Sequence, residues 1–331
     1  MRFAFSSSVL VLLSGLVAAY PNPGYVTGST DVHDPSICRD SSGTYFLFST
    51  GVNIPVRTST DRTTWTYVGT VWSSGQATWT NSYTGTTDGS LWAPDCTYKN
   101  GEFYLYYAAS TFGSQNSAIF FAKSTTGLPG SWTNEGLVTS TSSSNNYNAI
   151  DPNLIIDGSN WWLTFGSYWT GIKLVQLGSS TGKPSSSTIY SIAQRTENSG
   201  AVEAPVIVKN GSYYYLFTSW DKCCDGTSST YNVRVGRATS ITGPYVDQSG
   251  VALTSGGGTL ILASHDSIIG PGGQSVFQDT DAWVIDYREW RQALPPCPQL
   301  MFLRPTDYYT STGSLLGINL LDFSSGWPVV Y

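Results

Sequence analysis

Short runs in which apolar and polar positions alternate recur along most of the chain. "TYFLFST" from Thr44, "EFYLYYAAS" from Glu102, "NWWLTFGS" from Asn160 and "SYYYLFTS" from Ser212 each follow Gly or Ser. Aromatic-rich runs of this kind, bounded by turn residues, read as β-strands, and no stretch carries a convincing apolar stripe at helical spacing. Each run follows a shorter apolar segment that opens near a proline and closes in a polar turn: "HDPSICRDSSG", "WAPDCTYKNG", "IDPNLIIDGS" and "EAPVIVKNGS". A looser copy, "IGPGGQSVFQDTDAWVIDY", starts at Ile269. The repeated prolines are Pro35, Pro94, Pro152, Pro205 and Pro271, spaced by roughly 50 to 70 residues, enough for one four-stranded blade each. The expected fold is therefore all-β, a five-bladed β-propeller forming a single domain over residues 20–331. A β-sandwich would not need five related units.

In a propeller the first strand of each blade lines the central axis, so equivalent positions meet in a ring at one end. The residues ahead of the repeated prolines are His33-Asp34, Trp92-Ala93, Ile150-Asp151, Glu203-Ala204 and Ile269-Gly270. Three blades thus aim a carboxylate at one small space, and a fourth offers Trp92. The proline is expected to hold each strand start extended. A lone Asp before a proline is commonly a turn or cap residue. Three carboxylates at equivalent positions, where like charges repel, point instead to a site. Asp95, just past Pro94, reads better as a cap than as a site residue.

Two carboxyl groups flanking a glycosidic bond, one protonated and one ionised, are the minimum for its hydrolysis, and a third can raise the acid's proton affinity. Composition narrows the partners in the same direction. Charged residues are 11% of the chain and aromatics 14%, with a net charge of −6. Without a basic cluster, nucleic acid and anionic membrane are poor partners, whereas uncharged sugars suit aromatic surfaces. Two histidines cannot build a His-rich metal site, and no nucleophilic-serine elbow, P-loop or dinucleotide fingerprint occurs.

The segments "VHDPSI", "LWAPD", "YNAIDPNL", "GAVEAPVI", "HDSIIGPGGQSV" and "GSLLGINLLDFSSGWPVV" together resemble glycoside hydrolase family 43, and within it the secreted endo-1,5-α-L-arabinanases of fungi. The resemblance runs from about Gly24 to the C-terminus. It implies an inverting hydrolase of internal α-1,5-arabinofuranosyl linkages in arabinan, the side chain of plant cell-wall pectin. By resemblance Asp34 is the general base, Glu203 the general acid, and Asp151 the residue that tunes and orients that acid. Base and acid should then stand roughly 6.5–9.5 Å apart to admit water. Trp92, Phe112 and Trp169 would line arabinose subsites. His265, in "SHDSIIGPGG", looks like the family's central-channel histidine, associated through water with a metal, usually Ca2+; the chemistry itself requires no cofactor. Rival readings are an exo-acting α-L-arabinofuranosidase or β-xylosidase on the same scaffold, and a non-catalytic sugar-binding propeller, which would not need both Asp34 and Glu203. The working form is expected to be a monomer acting on arabinan or arabino-oligosaccharides.

Arg2, the apolar run Val9 to Val17 and the small Val17-Ala18-Ala19 form a secretory signal pattern over residues 1–19, too short to span a membrane. A secreted, extracellular protein follows, in which disulfides are permitted. Cys38, Cys96, Cys223, Cys224 and Cys297 make an odd count, and Cys223-Cys224 could be a vicinal ring or two separate thiols. Asn210-Gly211-Ser212 is an N-glycosylation sequon in an expected hairpin turn. One segment departs from the family pattern. "REWRQALPPCPQLMFLRPTD", residues 288–307, stands where a single histidine would join "WVIDY" to "YYTSTGSLLG". Its two ends can be encoded by splice signals, with the histidine restored across the junction. A retained intron is therefore expected, the alternative being a surface insertion in blade five.

Overall fold

The computed structural model describes residues 20–292 and 313–331. The signal pattern, Cys297 and the part of the suspected insert beyond Gln292 lie outside the described residues. The alternating runs become five sheets, and each repeated proline stands at or within the innermost strand of one of them. Blade one comprises Ser36–Arg39, Tyr45–Phe48, Pro55–Ser59 and Thr64–Thr70, with Thr27–Gly28 added in parallel on the outer edge. Blade two comprises Ser90–Lys99, Glu102–Ala109, Ser117–Ser124 and Thr133–Thr141, and Gly51–Val52 joins its inner edge. Blade three comprises Asn153–Asp157, Asn160–Phe165, Ile172–Leu177 and Tyr190–Ala193. Blade four comprises Val202–Asn210, Tyr213–Trp220, Asn232–Ala238 and Thr259–Leu262. Blade five comprises Ile268–Gln278, Trp283–Arg291, Leu315–Asp322 and Val329–Val330.

Each inner strand packs against that of the next blade, and Ile268–Gln278 returns to Ser36–Arg39, which closes a five-bladed β-propeller. Both faces of a blade meet a neighbour, so large apolar side chains are needed on both. The core is accordingly split into five clusters, one at each seam. Trp161, Tyr214 and Tyr215, from the aromatic second-strand runs, are buried in three different seams. The Cys38–Cys96 disulfide ties the inner strands of blades one and two. At the closing seam the N-terminal segment lies along blade five: Gly24 N donates to Ile318 O at 2.8 Å, Leu316 N to Thr30 O at 2.9 Å and Val32 N to Ser314 O at 3.0 Å.

Apolar contact is not directional, so something else must set how far one blade rotates against the next. The amide two residues past each repeated proline supplies this. Cys96 N donates to Ser36 Oγ at 3.0 Å, Leu154 N to Asp95 Oδ2 at 2.8 Å and Ile207 N to Asn153 Oδ1 at 2.9 Å. Ser36, Asp95 and Asn153 are themselves equivalent, each one residue past its own proline. In the last two seams the second strand of the preceding blade takes over. Gly273 N donates to Ser219 Oγ at 2.9 Å, and the Ile37 amide faces the buried Asp286 carboxyl. Asp95 is thus a seam acceptor, as its reading as a cap implied. Asn153 Nδ2 also donates to Asp95 Oδ1 at 2.8 Å.

Asn153→Ala removes an acceptor and a donor from two adjacent seams. It should cost about 2–4 kcal/mol, because the buried Ile207 amide and one Asp95 oxygen lose their partner. The readout is a lower urea midpoint at unchanged m-value; an unmoved midpoint would mean that this side chain does not hold the seams.

Candidate active site

At the end of the channel where the inner strands begin, the residue ahead of every repeated proline is left-handed. φ is +45° at Asp34, +43° at Ala93, +56° at Asp151, +48° at Ala204 and +58° at Gly270. This corrects the extended conformation expected from the proline. A non-glycine residue in this region costs on the order of 1–3 kcal/mol and persists only where its surroundings fix it. Hydrogen bonds across the seams do so here: Ala93 N donates to Thr50 Oγ1 at 2.7 Å, and Ala204 N to Asp151 Oδ2 at 3.0 Å. Gly270 N donates to Ser264 Oγ at 2.9 Å. In blades two, four and five the pairing register shifts around the proline, the mark of a β-bulge, which re-aims the adjoining side chains.

The bends bring Asp34, Asp151 and Glu203 to one cleft of about 720 Å³. Asp34 Oδ2 accepts from Thr50 Oγ1 at 2.8 Å and lies 2.8 Å from His33 Nδ1; Oδ1 lies 3.6 Å from Arg288 Nε. Burial pushes this carboxyl up, but His33, then Arg288 and the Thr50 hydroxyl outweigh burial and bring it down to about 2. Glu203 Oε2 accepts from Ser167 Oγ at 2.7 Å and Oε1 from Tyr231 OH at 2.8 Å. Burial, aided by the Asp34 charge, still holds Glu203 above the usual carboxyl range. Asp151 is raised further, by burial and then by the charges of Glu203 and Asp34. One group is therefore held ionised while two are held toward neutrality, and the protons of Asp151 and Glu203 belong to the pair.

Trp92, Phe112 and Trp169 line the same cleft, with Phe112 87% and Trp169 39% exposed. Rings so open, beside half-buried carboxyl groups, leave apolar faces for a ligand and a polar floor to orient it. A family model described as glycosyl hydrolases family 43 matches residues 23–328.

The chain belongs to glycosyl hydrolase family 43. It is 43% identical to arabinan endo-1,5-alpha-L-arabinosidase A of Aspergillus aculeatus, over 96% of this chain and 97% of that one. It is 41% identical to extracellular endo-alpha-(1->5)-L-arabinanase 1 of Bacillus subtilis, over 99% and 97% of the two chains. Among solved structures, the GH43 endo-arabinanase from Bacillus licheniformis superposes with a TM-score of 0.81 at 39% identity, covering 92% of this chain and 99% of that one.

Within this family 43 site, four partners of the carboxylates escaped the sequence reading: Thr50, Ser167, Tyr231 and Arg288. Thr50 and Ser167 stand at the ends of repeated second-strand runs and Tyr231 just before the third strand of blade four, so nothing in the repeat of prolines singles them out. Arg288 was assigned to the insert. It lies in the continuous strand Trp283–Arg291, in which Arg288 pairs with Leu316 and Glu289 with Leu315. Arg288 is fully buried, its guanidinium 4.9 Å from the Tyr231 ring centre, at the position where the resemblance expects histidine. A signal for these contacts exists in "GPGGQS". A Cβ on Gly272 would lie 2.2 Å from the Tyr231 ring, and one on Gly273 2.6 Å from Asp34 Oδ1.

The structure does not bring His265 to the cleft or to the small cavity of about 30 Å³ beneath it, which Asp34, Asp95, Asp151 and Gln274 help to line. His265 sits in a tight turn closed by its own backbone bonds with Ile268, before the inner strand begins. Its Nδ1 lies 2.8 Å from Ala263 O and its ring packs against Tyr20. Among the described residues no group of three or more His, Cys, Asp and Glu could hold a metal ion. The side chains present thus do not fit a directly ligated Ca2+.

Gly273→Ala should destabilise by about 2–4 kcal/mol, since it adds a clash with Asp34 to a φ of +58°. Gly130→Ala, at a φ of +78° with open space around it, should cost about 1 kcal/mol. Equal losses in thermal melts of the two variants would show that Asp34 yields freely.

Proposed function

We propose that the chain is an inverting endo-1,5-α-L-arabinanase. The observation that carries this reading is the opposite displacement of carboxyl proton affinities inside one aromatic-walled cleft: Asp34 pulled down, Glu203 pushed up. Asp34, ionised, takes a proton from water as its oxygen attacks the anomeric carbon. Glu203, protonated, gives its proton to the departing glycosidic oxygen on the other side, so one water is consumed and one C–O bond breaks. Asp151 tunes Glu203 by titrating with it, since repulsion between the two carboxylates keeps a proton on the pair, and it fixes the backbone beside Glu203 by accepting from Ala204 N. Trp92, Phe112 and Trp169 seat the furanose rings. Cleavage within the polymer, rather than from its end, is supported by the endo-acting relatives.

Export of the chain and an extracellular place of action are part of the same reading. They are supported by the leader pattern of residues 1–19, by the buried Cys38–Cys96 bridge and by the extracellular relative. The Asn210 sequon, at the exposed hairpin that joins the first two strands of blade four, is open to a glycan.

Asp34→Ala and Glu203→Ala should each lower turnover on linear arabinan by about 10²–10⁴-fold at an unchanged fold. Wild-type digestion should release oligosaccharides of mixed length early in the reaction. Full activity in either variant would remove the hydrolase mechanism; a single product size from the start would indicate an exo-acting enzyme.

The pH profile follows from the signs of the shifts. Asp34 is held near 2, so it stays ionised through mild acid and sets no limb there; Glu203 is raised, so its proton survives above the ordinary carboxyl range and is lost on the alkaline side. Activity should accordingly persist at about pH 5 and decline toward alkaline pH. A profile that collapses between about pH 6 and 5 would contradict the assignment of Asp34 as the base.

A further inference from the structure

The loops joining the second and third strands of blades two, three and four rise on the rim that carries the carboxylates. The loop after Glu102–Ala109 puts Phe112 into the cleft, and the loop after Asn160–Phe165 puts Trp169 there. The corresponding loop after Tyr213–Trp220, "DKCCDGTSSTY", has one aromatic residue, Tyr231, which is buried and has its hydroxyl engaged by Glu203. Beside Lys222 and Tyr231, it places on the cleft Cys223 and Cys224, bonded to each other. We propose that this vicinal disulfide is a sugar-contacting, specificity-determining wall of the cleft, the blade-four counterpart of Phe112 and Trp169. The proposal rests on the arabinanase reading above.

Three observations carry it. First, the bond has little to do for stability. A cross-link stabilises mainly by closing a loop of the unfolded chain; Cys38–Cys96 spans 58 residues and is buried, whereas Cys223–Cys224 joins neighbours and closes no such loop. Second, the loop is held without it. Thr230 N donates to Lys222 O at 2.9 Å, Lys222 N to Thr230 Oγ1 at 3.2 Å, and Asp225 N to Ser229 Oγ at 3.1 Å. Third, the pair stands at the reacting end of the cleft. Cys224 Sγ lies 3.4 Å from His33 Nε2, and the other nitrogen of that imidazole lies 2.8 Å from Asp34 Oδ2. Arg288 Nη2 lies 3.7 Å from the same sulfur. Two bonded sulfurs in a small closed ring offer a polarisable, weakly hydrogen-bonding face with few rotatable bonds. Such a face suits the C–H side of a furanose beside the Asp34 carboxylate.

The test compares wild type with Cys223→Ser/Cys224→Ser, reading arabinohexaose binding by calorimetry and turnover on linear arabinan. Loss of the sulfur face should weaken binding and raise KM by about tenfold, with kcat within about threefold and the melting temperature unchanged. A second arm needs no substitution: wild type is treated with a phosphine, which takes up water's oxygen as two thiols form. Alkylation and mass analysis confirm that Cys223 and Cys224 alone have opened, and the same KM shift should appear and reverse on reoxidation. If the double variant misfolds, this arm decides. Unchanged binding and KM in an active wild-type background would overturn the proposal, as would a fall in melting temperature without a change in binding. A wild type that neither binds nor cleaves would remove the arabinanase reading and the proposal with it.

Discussion

Backbone amides at one repeated position reach across the seams to the preceding blade, and the rest of the molecule depends on those reaches. The aromatic seams supply most of the burial, yet flat apolar faces can slide over one another at little cost. An N–H group two residues past a proline cannot slide, because its bond to Ser36, Asp95, Asn153 or Ser219 fails within a few tenths of an ångström. Fixing that residue fixes the level of the two or three residues before it. This is how Asp34, Asp151 and Glu203, on three separate sheets, come to share one floor.

Bringing them together works against the fold. Two of the three carboxyl groups are pushed away from their ordinary titration by burial and by one another, and the residues before the prolines are left-handed in every blade. Local rules of backbone and charge are broken together at one spot and kept almost everywhere else, which is the signature of a functional site in an otherwise consistent fold. Arg288 is the counterweight. Fully buried beside Asp34 and Tyr231, its guanidinium offsets part of the repulsion by favouring the ionised form of all three carboxyl groups.

The fold was legible because its units repeat: Pro35, Pro94, Pro152, Pro205 and Pro271 mark the inner strands, and the runs after them mark the second strands. The carboxylates and the aromatic residues of the cleft were legible through that repeat and the family motifs together. What a repeat cannot reveal is a contact made between blades. Tyr231 and Arg288 reach Glu203 and Asp34 from second or third strands, where nothing in the local pattern distinguishes them from core. The handedness before the prolines was misread for a related reason. A proline restricts its predecessor toward extended geometry, but the seam bonds of the Ala93 and Ala204 amides override that preference.

The clasp of Gly24, Thr30 and Val32 onto Ser314, Leu316 and Ile318 constrains the order of events at the ribosome. Blade one can form early, but its outer flank has no partner until Leu315–Asp322 has emerged, so the ring stays open until then. The gap between the first and last blades then exposes the fifth apolar seam to solvent. A chain stalled or truncated before Leu315–Asp322 would carry that open seam permanently, which makes this one strand decisive for solubility as well as for shape.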